Sequence, residues 1–501
     1  MRTLEAERPT MPALKSPGSR CDLLVLRMIV LCAALVAQQA QGQRAATFDK
    51  RVKDYVVHDA RSIRIDDVRV IDGTGAAAKA GQSLLIRDGK IERIAPYEAL
   101  RAEAADVVIE GKGRSVTPGL VMMHEHLFFL DVLGEAPMYN SEPFAAPKAY
   151  LAFGATTIRT AGTMHGTDDL ETARMIREGK FLGPEVRVTA PFVNGPGSFA
   201  FQLRPIDNPA DARRIVGFWA DEGASSYKIY QNISREVLAA AIDAAHKRGL
   251  KVTGHLCSIT FREAALMGID NLEHGVAVAS DFVADKTPDL CPKRDVPEDA
   301  LLALAPESPR LAELIDLLVR RKVAVTSTLA VFAAGIVDWF PAPDDLLMLN
   351  NESQKSALRF LARYRGAPER RERALRLLRA EMRFERAFVA AGGTLMVGTD
   401  PTGWGGTLPG PGNHAALRLL VEAGFTPLEV LRFATVNGAR YQGIEDRVGA
   451  LAEGRQADLI LVDGKPDEDI RELSRIDLVF RNGIAYDSKK IVESLKGKVG
   501  R

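Results

Sequence analysis

The chain has 501 residues, with 66 lysine and arginine residues against 65 aspartate and glutamate residues, and its formal net charge is +1. Such a balanced charge creates no overall field that would attract nucleic acid or an anionic membrane, so we expect neither partner. Hydrophobic residues make up 46% of the chain, which is typical of a globular protein with a large core.

The beginning of the chain has the layout of a secretory signal peptide. Residues 23–37 are apolar except for Arg27, basic residues precede them, and a small-x-small cleavage site follows at 40–42. The apolar run is shorter than the roughly 20 residues that a membrane-spanning helix needs. The pattern predicts a signal peptide over residues 1–42, an exported mature chain that is periplasmic or secreted, and no stable membrane span in that mature chain.

The cysteines agree with export. Cys21 and Cys32 lie within the predicted signal peptide, which leaves Cys257 and Cys291 in the mature chain. Both follow predicted strands at the same end, so a disulfide between them is geometrically feasible in an oxidising compartment. Two buried free thiols are an equally good interpretation of the sequence.

Two β-rich segments flank a long central segment. In residues 43–117 short apolar runs alternate with turns, and Asp88-Gly89 supplies the positive φ angles of a tight hairpin turn. Residues 442–501 repeat this pattern of apolar runs and turns. We therefore predict one small β-sandwich domain built from residues 43–117 and 442–501, that is, from both ends of the chain.

The central segment, residues 118–441, alternates short apolar runs with amphipathic stretches. Eight runs have the length and composition of buried strands: 120–126, 156–161, 186–193, 226–230, 251–255, 269–274, 323–328 and 394–400. Eight strand–helix units are what a (β/α)8 TIM barrel requires, so the predicted fold class is α/β with this barrel as the central domain. An open doubly wound sheet is the alternative, but no Gly-rich phosphate loop follows the first run.

Ligand-type side chains end several of these predicted strands. They are His124, His126, His255, His274 and Asp400. The C-terminal ends of barrel strands carry the active sites of such enzymes, and residues two apart in a strand point to the same side. Imidazoles and a carboxylate are suitable ligands for a divalent metal ion, and the carboxylate can also take a proton from bound water.

Lys228 lies inside the fourth predicted strand, where an ammonium group is out of place. An unpaired buried charge is costly, so the group must find a partner or change its chemistry. One solution is a carbamate formed with carbon dioxide, whose two oxygens can bridge two cations. The other is a salt-bridged lysine beside a single metal ion, and the residues by themselves permit both.

The first predicted strand resembles a motif of the amidohydrolase superfamily. Residues 118–126 read Pro-Gly-Leu-Val-Met-Met-His-Glu-His, and the later lysine, histidine and aspartate residues follow in that family's order. Both chain ends are similar to its small β-domain, so the resemblance extends over residues 61–487. It is greatest to the imidazolonepropionase-like branch, which includes Xaa-Pro dipeptidases and ochratoxin-degrading amidohydrolases. One departure is Met122, where family members usually have an aspartate that supports the ligands.

The resemblance implies a centre with two divalent ions, zinc being the expected metal. Transferred position by position, it implies that one ion is held by His124, His126 and Asp400. The other ion is held by His255 and His274, and Lys228, carboxylated by CO2, bridges the two. A hydroxide shared between the two ions would attack the amide, with Asp400 as general base and then general acid.

Three further residues are candidates for contact with the substrate. His165, after the second strand, could polarise a carbonyl, and Tyr230 could donate a hydrogen bond to an oxyanion or a carboxylate. Arg204, in the loop after the third strand, could pair with a substrate carboxylate. Each of them could equally lie near the site without a role.

The expected activity is hydrolysis of a C–N amide bond in a small-molecule substrate, a dipeptide or an N-acyl amino acid with a free carboxylate. Ring opening of a cyclic amide or imidazolone on the same metals is the alternative within enzymes. A non-catalytic barrel that binds metal or ligand is an alternative of another class, against which the proton-carrying Asp400 argues. We also expect a homo-oligomer.

Overall fold

The computed structural model describes residues 44–131, 138–197, 202–305, 307–402 and 406–500, so the predicted signal peptide lies outside the described residues. The strands follow one another in this chain order: β1 (Val56–His58), β2 (Ser62–Val70), β3 (Lys79–Arg87), β4 (Lys90–Pro96), β5 (Val107–Glu110), β6 (Ser115–Pro118), β7 (Leu120–Glu125), β8 (Phe128–Asp131), β9 (Met138–Ser141), β10 (Ala155–Thr160), β11 (Glu185–Arg187), β12 (Ser226–Ile229), β13 (Lys251–Gly254), β14 (Asn271–Glu273), β15 (Ala324–Ser327), β16 (Leu395–Val397), β17 (Leu459–Val462), β18 (Ile476–Arg481) and β19 (Ile484–Asp487).

The α-helices lie mostly between the central strands, and their bounds are α1 (Lys50–Lys53), α2 (Tyr97–Leu100), α3 (Ala145–Ala152), α4 (Gly166–Arg177), α5 (Pro209–Asp221), α6 (Arg235–His246), α7 (Phe261–Met267), α8 (Asp295–Leu302), α9 (Pro309–Arg320), α10 (Leu329–Ala333), α11 (Asn351–Arg365), α12 (Pro368–Ala390), α13 (Pro411–Glu422), α14 (Pro427–Arg432), α15 (Gly438–Tyr441) and α16 (Ser488–Ser494). Short 3-10 segments lie at Arg44–Thr47, Gly275–Val278, Asp345–Met348 and Ile470–Ser474, and a π-helical turn lies at Phe433–Asn437.

Strands from both ends of the chain share one sheet. Its order is β1-β19-β18-β17-β6-β2-β3-β4, with β5 paired to β2. β17 joins the two segments because it pairs antiparallel with β6, Leu459 lying opposite Pro118. Alternate side chains of β2, such as Ile63 and Ile65, pack into the apolar core of this sheet. The shared sheet is therefore observed, and its arrangement as a β-sandwich stays a prediction.

The eight predicted central strands are found in the described chain as β7 and β10 to β16, and every pairing between them is parallel. They form one sheet of order β11-β10-β7 and another of order β12-β13-β14-β15-β16. A parallel bridge from Thr189 to Ser226 connects the two sheets at one side. At the other side the amide of Asp400 donates to the carbonyl of His124 at 3.0 Å. The α/β class is confirmed, and the last central strand meets the first.

Local signals in the sequence begin the helices that cover these strands. Ser234 accepts a hydrogen bond from the Val237 amide and so caps α6, while Thr260 and Glu263 form the capping box of α7. The apolar faces of these helices pack into the main core between helices and strands. Among the helices of the described residues, none is both long and apolar enough to span a membrane.

Candidate metal centre

Asp400 lies at the centre of a group of histidines at the C-terminal ends of the parallel strands. Its Oδ1 is 3.1 Å from His126 Nε2 and 3.6 Å from His124 Nε2, and its Oδ2 is 3.8 Å from His274 Nδ1. The ligand-type atoms of His124, His274 and Asp400 all lie within 4.8 Å of one another. These spacings make the group a candidate metal site.

His255 and Lys228 extend this group towards β12 and β13. The His255 ring centroid lies 4.6 Å from that of His274 and 4.7 Å from that of Tyr230. The Lys228 side chain is only 1% exposed, and its charge acts on both His255 and Asp400. The structure thus brings all of the predicted metal ligands to one end of the parallel strands.

The Nδ1 atoms of three imidazoles have partners that orient the rings. The pairs are His124 with a Glu273 carboxylate oxygen at 2.7 Å, His126 with the Gly162 carbonyl at 3.1 Å, and His274 with the Thr328 hydroxyl at 2.8 Å. The carboxylate and the carbonyl are acceptors, so they place the proton of His124 and of His126 on Nδ1 and leave Nε2 for a metal ion, whereas the Thr328 hydroxyl holds the ring plane of His274.

A buried ion pair behind His124 is absent from the sequence-based prediction. Arg159 Nη2 lies 2.5 Å from Glu273 Oε1, both side chains are buried, and Asn271 Nδ2 donates to the same oxygen at 3.0 Å. Burial would raise the pKa of Glu273, but the charge of Arg159 holds that pKa well below its ordinary value. The polar–apolar–polar sequence at 271–273 could have indicated this buried pair, because it places two polar side chains, Asn271 and Glu273, on the same side of β14.

Burial sets the protonation states of the ligands. It lowers the pKa of His126 and of His274 and brings the pKa of His255 to about 3, so these imidazoles are neutral. Burial by itself would raise the pKa of Asp400, but the surrounding histidines hold it well below its ordinary value. Burial also lowers the pKa of Lys228 to about 8. Neutral imidazoles and an anionic carboxylate are the forms that bind a metal ion.

The backbone around the ligands adopts unusual conformations. His274 has a φ of 69° and Asp400 a φ of 56°, in the left-handed region that residues other than glycine seldom occupy. Such positions tend to cluster at functional sites. Gly398 is required for another reason, since a Cβ there would lie 2.6 Å from the backbone nitrogen of His124. Glycine therefore allows β16 to approach β7 closely enough to place Asp400 among the histidines.

Comparison with known proteins assigns this site to a family. The model of the amidohydrolase family matches residues 115–485, which include every residue of the cluster. The chain belongs to the amidohydrolase family. Amidohydrolases are metal-dependent hydrolases that act on C–N bonds, which agrees with the candidate metal site.

Individual relatives of this chain were also found. It is 31% identical over 253 residues to an uncharacterized protein of Mycobacterium tuberculosis, and this match covers 47% of the chain. The chain spans 61% of the length of the curated relatives that it matches first. Its structure is similar to that of a Xaa-Pro dipeptidase with bound methionine in the active site (TM-score 0.63, 20% identity, 85% of this chain and 100% of that chain). It is also similar to A. niger ochratoxinase (TM-score 0.62, 20% identity, 86% and 96%). These likenesses indicate a TIM-barrel-type fold.

Apolar and aromatic side chains border the candidate metal ligands. The ring centroid of Phe128 lies 4.4 Å from that of His126, and the ring centroid of Phe192 lies 5.0 Å from that of Tyr230. We call this group the aromatic wall; its members are Phe128, Leu130, Tyr139, Met164, Phe192 and Leu203, with Tyr230 packed against them. The aromatic wall gives the candidate metal site an apolar side, which begins directly beside His126 and His255.

Tyr230 and His165 differ in their relation to the ligands. Tyr230 contacts the His255 ring, and burial raises the pKa of its hydroxyl, which therefore stays a neutral donor. His165 Nε2 lies 3.0 Å from Gln202 Nε2 and 3.3 Å from the carbonyl oxygen of Tyr139. In the described chain His165 is thus engaged with its own loop surroundings, and its predicted role on a carbonyl stays a prediction.

Arg204 lies at the protein surface, and its predicted role on a substrate carboxylate stays a prediction. Its guanidinium pairs with Asp211 at 3.1 Å, at the beginning of α5, and its side chain is 63% exposed. Asp211 is thus a local partner, seven residues away along the chain.

Cys257 and Cys291 form a disulfide, with their Cα atoms 4.8 Å apart. Of the two interpretations that the sequence left open, the structure shows the bridge. Cys257 follows His255 by two residues, so the bridge attaches the segment after β14 to the loop that begins at a member of the candidate metal site. The disulfide is therefore part of the surroundings of that site.

Proposed function

We propose that this amidohydrolase hydrolyses the C–N bond of an amide in a dipeptide-like or N-acyl amino acid substrate with a free carboxylate. The observation that carries the proposal is the convergence of imidazole, lysine and carboxylate side chains from five central strands around Asp400.

The residues fit a pair of divalent ions, with zinc as the expected metal. His124, His126 and Asp400 would hold one ion, and His255 and His274 would hold the other. A carboxylated Lys228 would bridge them. The fit rests on the oriented imidazoles and on the ligand-type atoms of His124, His274 and Asp400, which lie within 4.8 Å of one another. When bound, the ions would lower the pKa of a shared water molecule and polarise the amide carbonyl.

Asp400 is the residue placed to carry the proton in this reaction. Its carboxylate stays anionic among the histidines, so it can accept a proton from the attacking water. The protonated carboxyl group can then donate to the leaving nitrogen. Tyr230, with its neutral hydroxyl beside His255, is placed to donate a hydrogen bond to the oxyanion.

Carboxylation of Lys228 is part of the proposal. The side chain is buried beside Asp400 and His255, where an ammonium group would repel a bound cation. A carbamate would reverse that charge and provide two oxygen ligands. Reconstitution of the apo-protein without CO2 should therefore yield low metal content and activity, and added bicarbonate should restore both; equal reconstitution in both conditions would contradict the carbamate.

The proposed substrate class is supported by the aromatic wall and by the relatives. The wall favours a bulky apolar group next to the scissile amide, because burying such a group releases about 25 cal/mol for each Å² of apolar surface. A Xaa-Pro dipeptidase among the structural relatives supports a dipeptide-like substrate.

The test is a substrate panel for the purified, zinc-loaded protein. N-acyl amino acids and dipeptides are compared with cyclic amides by following the release of amino acid or ring-opened product. We expect hydrolysis of the first group, and a loss of about 100- to 10,000-fold in kcat for Asp400→Asn. Turnover restricted to cyclic amides would replace the proposal by ring hydrolysis, and bound metal without any turnover would favour a non-catalytic barrel.

A further inference from the structure

The turn that carries His274 has an unusual backbone and no cap of its own. His274 has a φ of 69° and Gly275 a φ of 61°, so two successive residues adopt the left-handed conformation directly after β14. The 3-10 segment Gly275–Val278 begins there with His274 at its N-cap position, but the His274 side chain makes no capping hydrogen bond. The first amides of a helical turn have no partner within it, so an acceptor must come from another element.

Glu381, in the middle of α12, supplies this acceptor. Its Oε2 accepts a hydrogen bond from the Ala277 amide at 2.8 Å, across a sequence separation of 104 residues. The Glu381 side chain is only 1% exposed. Its carboxyl group thus takes the part that the side chain of an N-cap residue usually has, and its burial shields the hydrogen bond from water.

Gly275 lets the carboxyl group of Glu381 approach the turn closely. A Cβ at position 275 would lie 1.7 Å from Glu381 Oε1. Glycine is therefore needed here for two reasons, the positive φ and the space that the carboxyl group fills. Because Gly275 directly follows His274, the carboxyl group packs against the residue next to a candidate metal ligand.

The position of the His274 ring depends on two separate contacts. Thr328 Oγ1 lies 2.8 Å from His274 Nδ1 and holds the ring plane. The His274 ring centroid lies 4.6 Å from that of His124 and 4.6 Å from that of His255, so the imidazole is close to both of these ligands. A rotation of the backbone at His274 would move the ring away from them, and the contact of Glu381 with the turn opposes that rotation.

We propose that Glu381 is a positioning residue that holds the left-handed turn at His274 and so keeps this imidazole in place for the ion that it shares with His255. A residue other than glycine stays in this strained conformation only when the surrounding contacts hold it there. Without the acceptor on α12 the turn can relax, and His274 loses its alignment with His255. This inference rests on the proposed function, because it presupposes the pair of metal ions.

The test varies the length and the acceptor of residue 381 and measures bound zinc, a readout independent of turnover. Glu381→Gln keeps both the length and an acceptor oxygen, so it should retain the wild-type zinc content. Glu381→Leu lacks the acceptor, and Glu381→Asp is shorter by one methylene group. Both should bind one of the two zinc ions about 10- to 100-fold more weakly, as measured by competition with a chelator. A role of the acidic charge alone would instead favour Glu381→Asp over Glu381→Gln.

Asp458→Ala is the matched control. Asp458 Oδ1 accepts a hydrogen bond from the Asn482 amide at 2.6 Å, its side chain is only 5% exposed, and Asn482 has a φ of 50°. This carboxyl group therefore also holds a left-handed turn, but the turn lies between β18 and β19 of the shared sheet. Its loss should lower the free energy of unfolding and leave the affinity for both zinc ions unchanged.

Two results would overturn the role of Glu381 while leaving the metal pair intact. One is a wild type with two zinc equivalents together with folded Glu381→Leu and Glu381→Asp variants that bind both ions as tightly as it does. The other is a loss of zinc in Glu381→Gln as large as in Glu381→Asp. Wild-type protein that binds no zinc would overturn the proposed function and the inference with it. If Glu381→Leu does not fold, the comparison of Glu381→Asp with Glu381→Gln decides.

Discussion

Glu273 shows how one buried carboxylate connects the interior of the central strands to the metal ligands. It accepts a hydrogen bond from His124 on one oxygen and pairs with Arg159 on the other. All three side chains are buried, so none of them can exchange its partner for water. A change at Glu273 therefore affects both the orientation of a metal ligand and the neutralisation of a buried guanidinium.

Glu273→Gln should lower the free energy of unfolding by about 3–5 kcal/mol, because it leaves the charge of Arg159 buried without a counter-charge. It should also weaken metal binding by about 10- to 100-fold, since the remaining amide oxygen faces the donors of Arg159 and Asn271 and an NH2 group replaces the oxygen that accepts from His124. Urea unfolding and a metal-chelator competition measure the two effects. Glu185→Gln is the control: its pair with Arg447 is partly exposed, and its loss should cost at most about 1 kcal/mol. Equal effects of the two substitutions would contradict this account of Glu273.

At the scale of elements, the close approach of β16 to β7 depends on Gly398. Gly398→Ala should shift the end of β16 away from His124, cost about 1–3 kcal/mol of unfolding free energy through overpacking and reduce the bound metal. Gly217→Ala is the control within α5, where the added methyl group meets only the flexible end of Arg248 and should stabilise the helix by about 0.5–1 kcal/mol. Full metal content in Gly398→Ala would contradict the requirement for glycine.

Helix α12 contributes a pair of buried carboxyl groups one turn apart, Glu381 and Glu385. Glu381 accepts a hydrogen bond from the Ala277 amide at 2.8 Å, next to the segment that follows His274. Burial raises the pKa of Glu385 from 4.5 to about 8, and the Ser327 hydroxyl opposes this only in part. A carboxyl group with a higher pKa in the folded state binds protons more tightly when folded, so its contribution to stability falls as the pH rises through this range.

The contribution of Glu385 to the free energy of unfolding should therefore decrease between pH 5 and pH 8, and Glu385→Gln should make the slope of that free energy against pH more positive, because the amide cannot ionise. Urea unfolding across this range measures the slope. Glu369→Gln, at an exposed position of the same helix, should leave the slope unchanged. A slope that is the same in Glu385→Gln and wild-type protein would show that this carboxyl group stays charged in the folded state.

The central strands could be predicted because each is a short apolar run that ends in a polar residue or a turn, a pattern that depends only on neighbours in the sequence. The same runs pointed to His124, His255, His274 and Asp400, since strand ends meet at one side of parallel strands. The partner of Arg159 could not be predicted in this way, because it depends on which interior positions of separate strands face one another. The ion pair between Arg204 and Asp211 could not be predicted either, because the sequence does not show which of several nearby partners an exposed guanidinium takes.

At the scale of the whole molecule, the disulfide closes a loop across a sequence separation of 34 residues between Cys257 and Cys291. Closing a loop of this length should stabilise the folded chain by about 3–4 kcal/mol, because it restricts the unfolded state. Reduction by dithiothreitol should therefore lower the melting temperature, and the Cys257→Ser/Cys291→Ser variant should melt at this lower temperature with and without reductant. A melting temperature of wild-type protein that does not respond to verified reduction would contradict this contribution.

The bridge also supports the proposal that the chain is exported, because structural disulfides persist in oxidising compartments. Export predicts that the mature protein begins after the small-x-small site at 40–42. Mass spectrometry of the protein recovered from a secreting host measures this N-terminus. Recovery of the uncleaved chain in the cytoplasm alone would contradict export.

The central claim is that side chains from five strands hold a pair of metal ions around Asp400. Elemental analysis of the purified, reconstituted protein tests it most directly, with the His124→Ala and Asp400→Asn variants measured beside the wild type. The account predicts close to two equivalents of divalent metal in the wild type and a clear loss in both variants. Wild-type protein without bound metal, or variants that keep the full wild-type content, would contradict it.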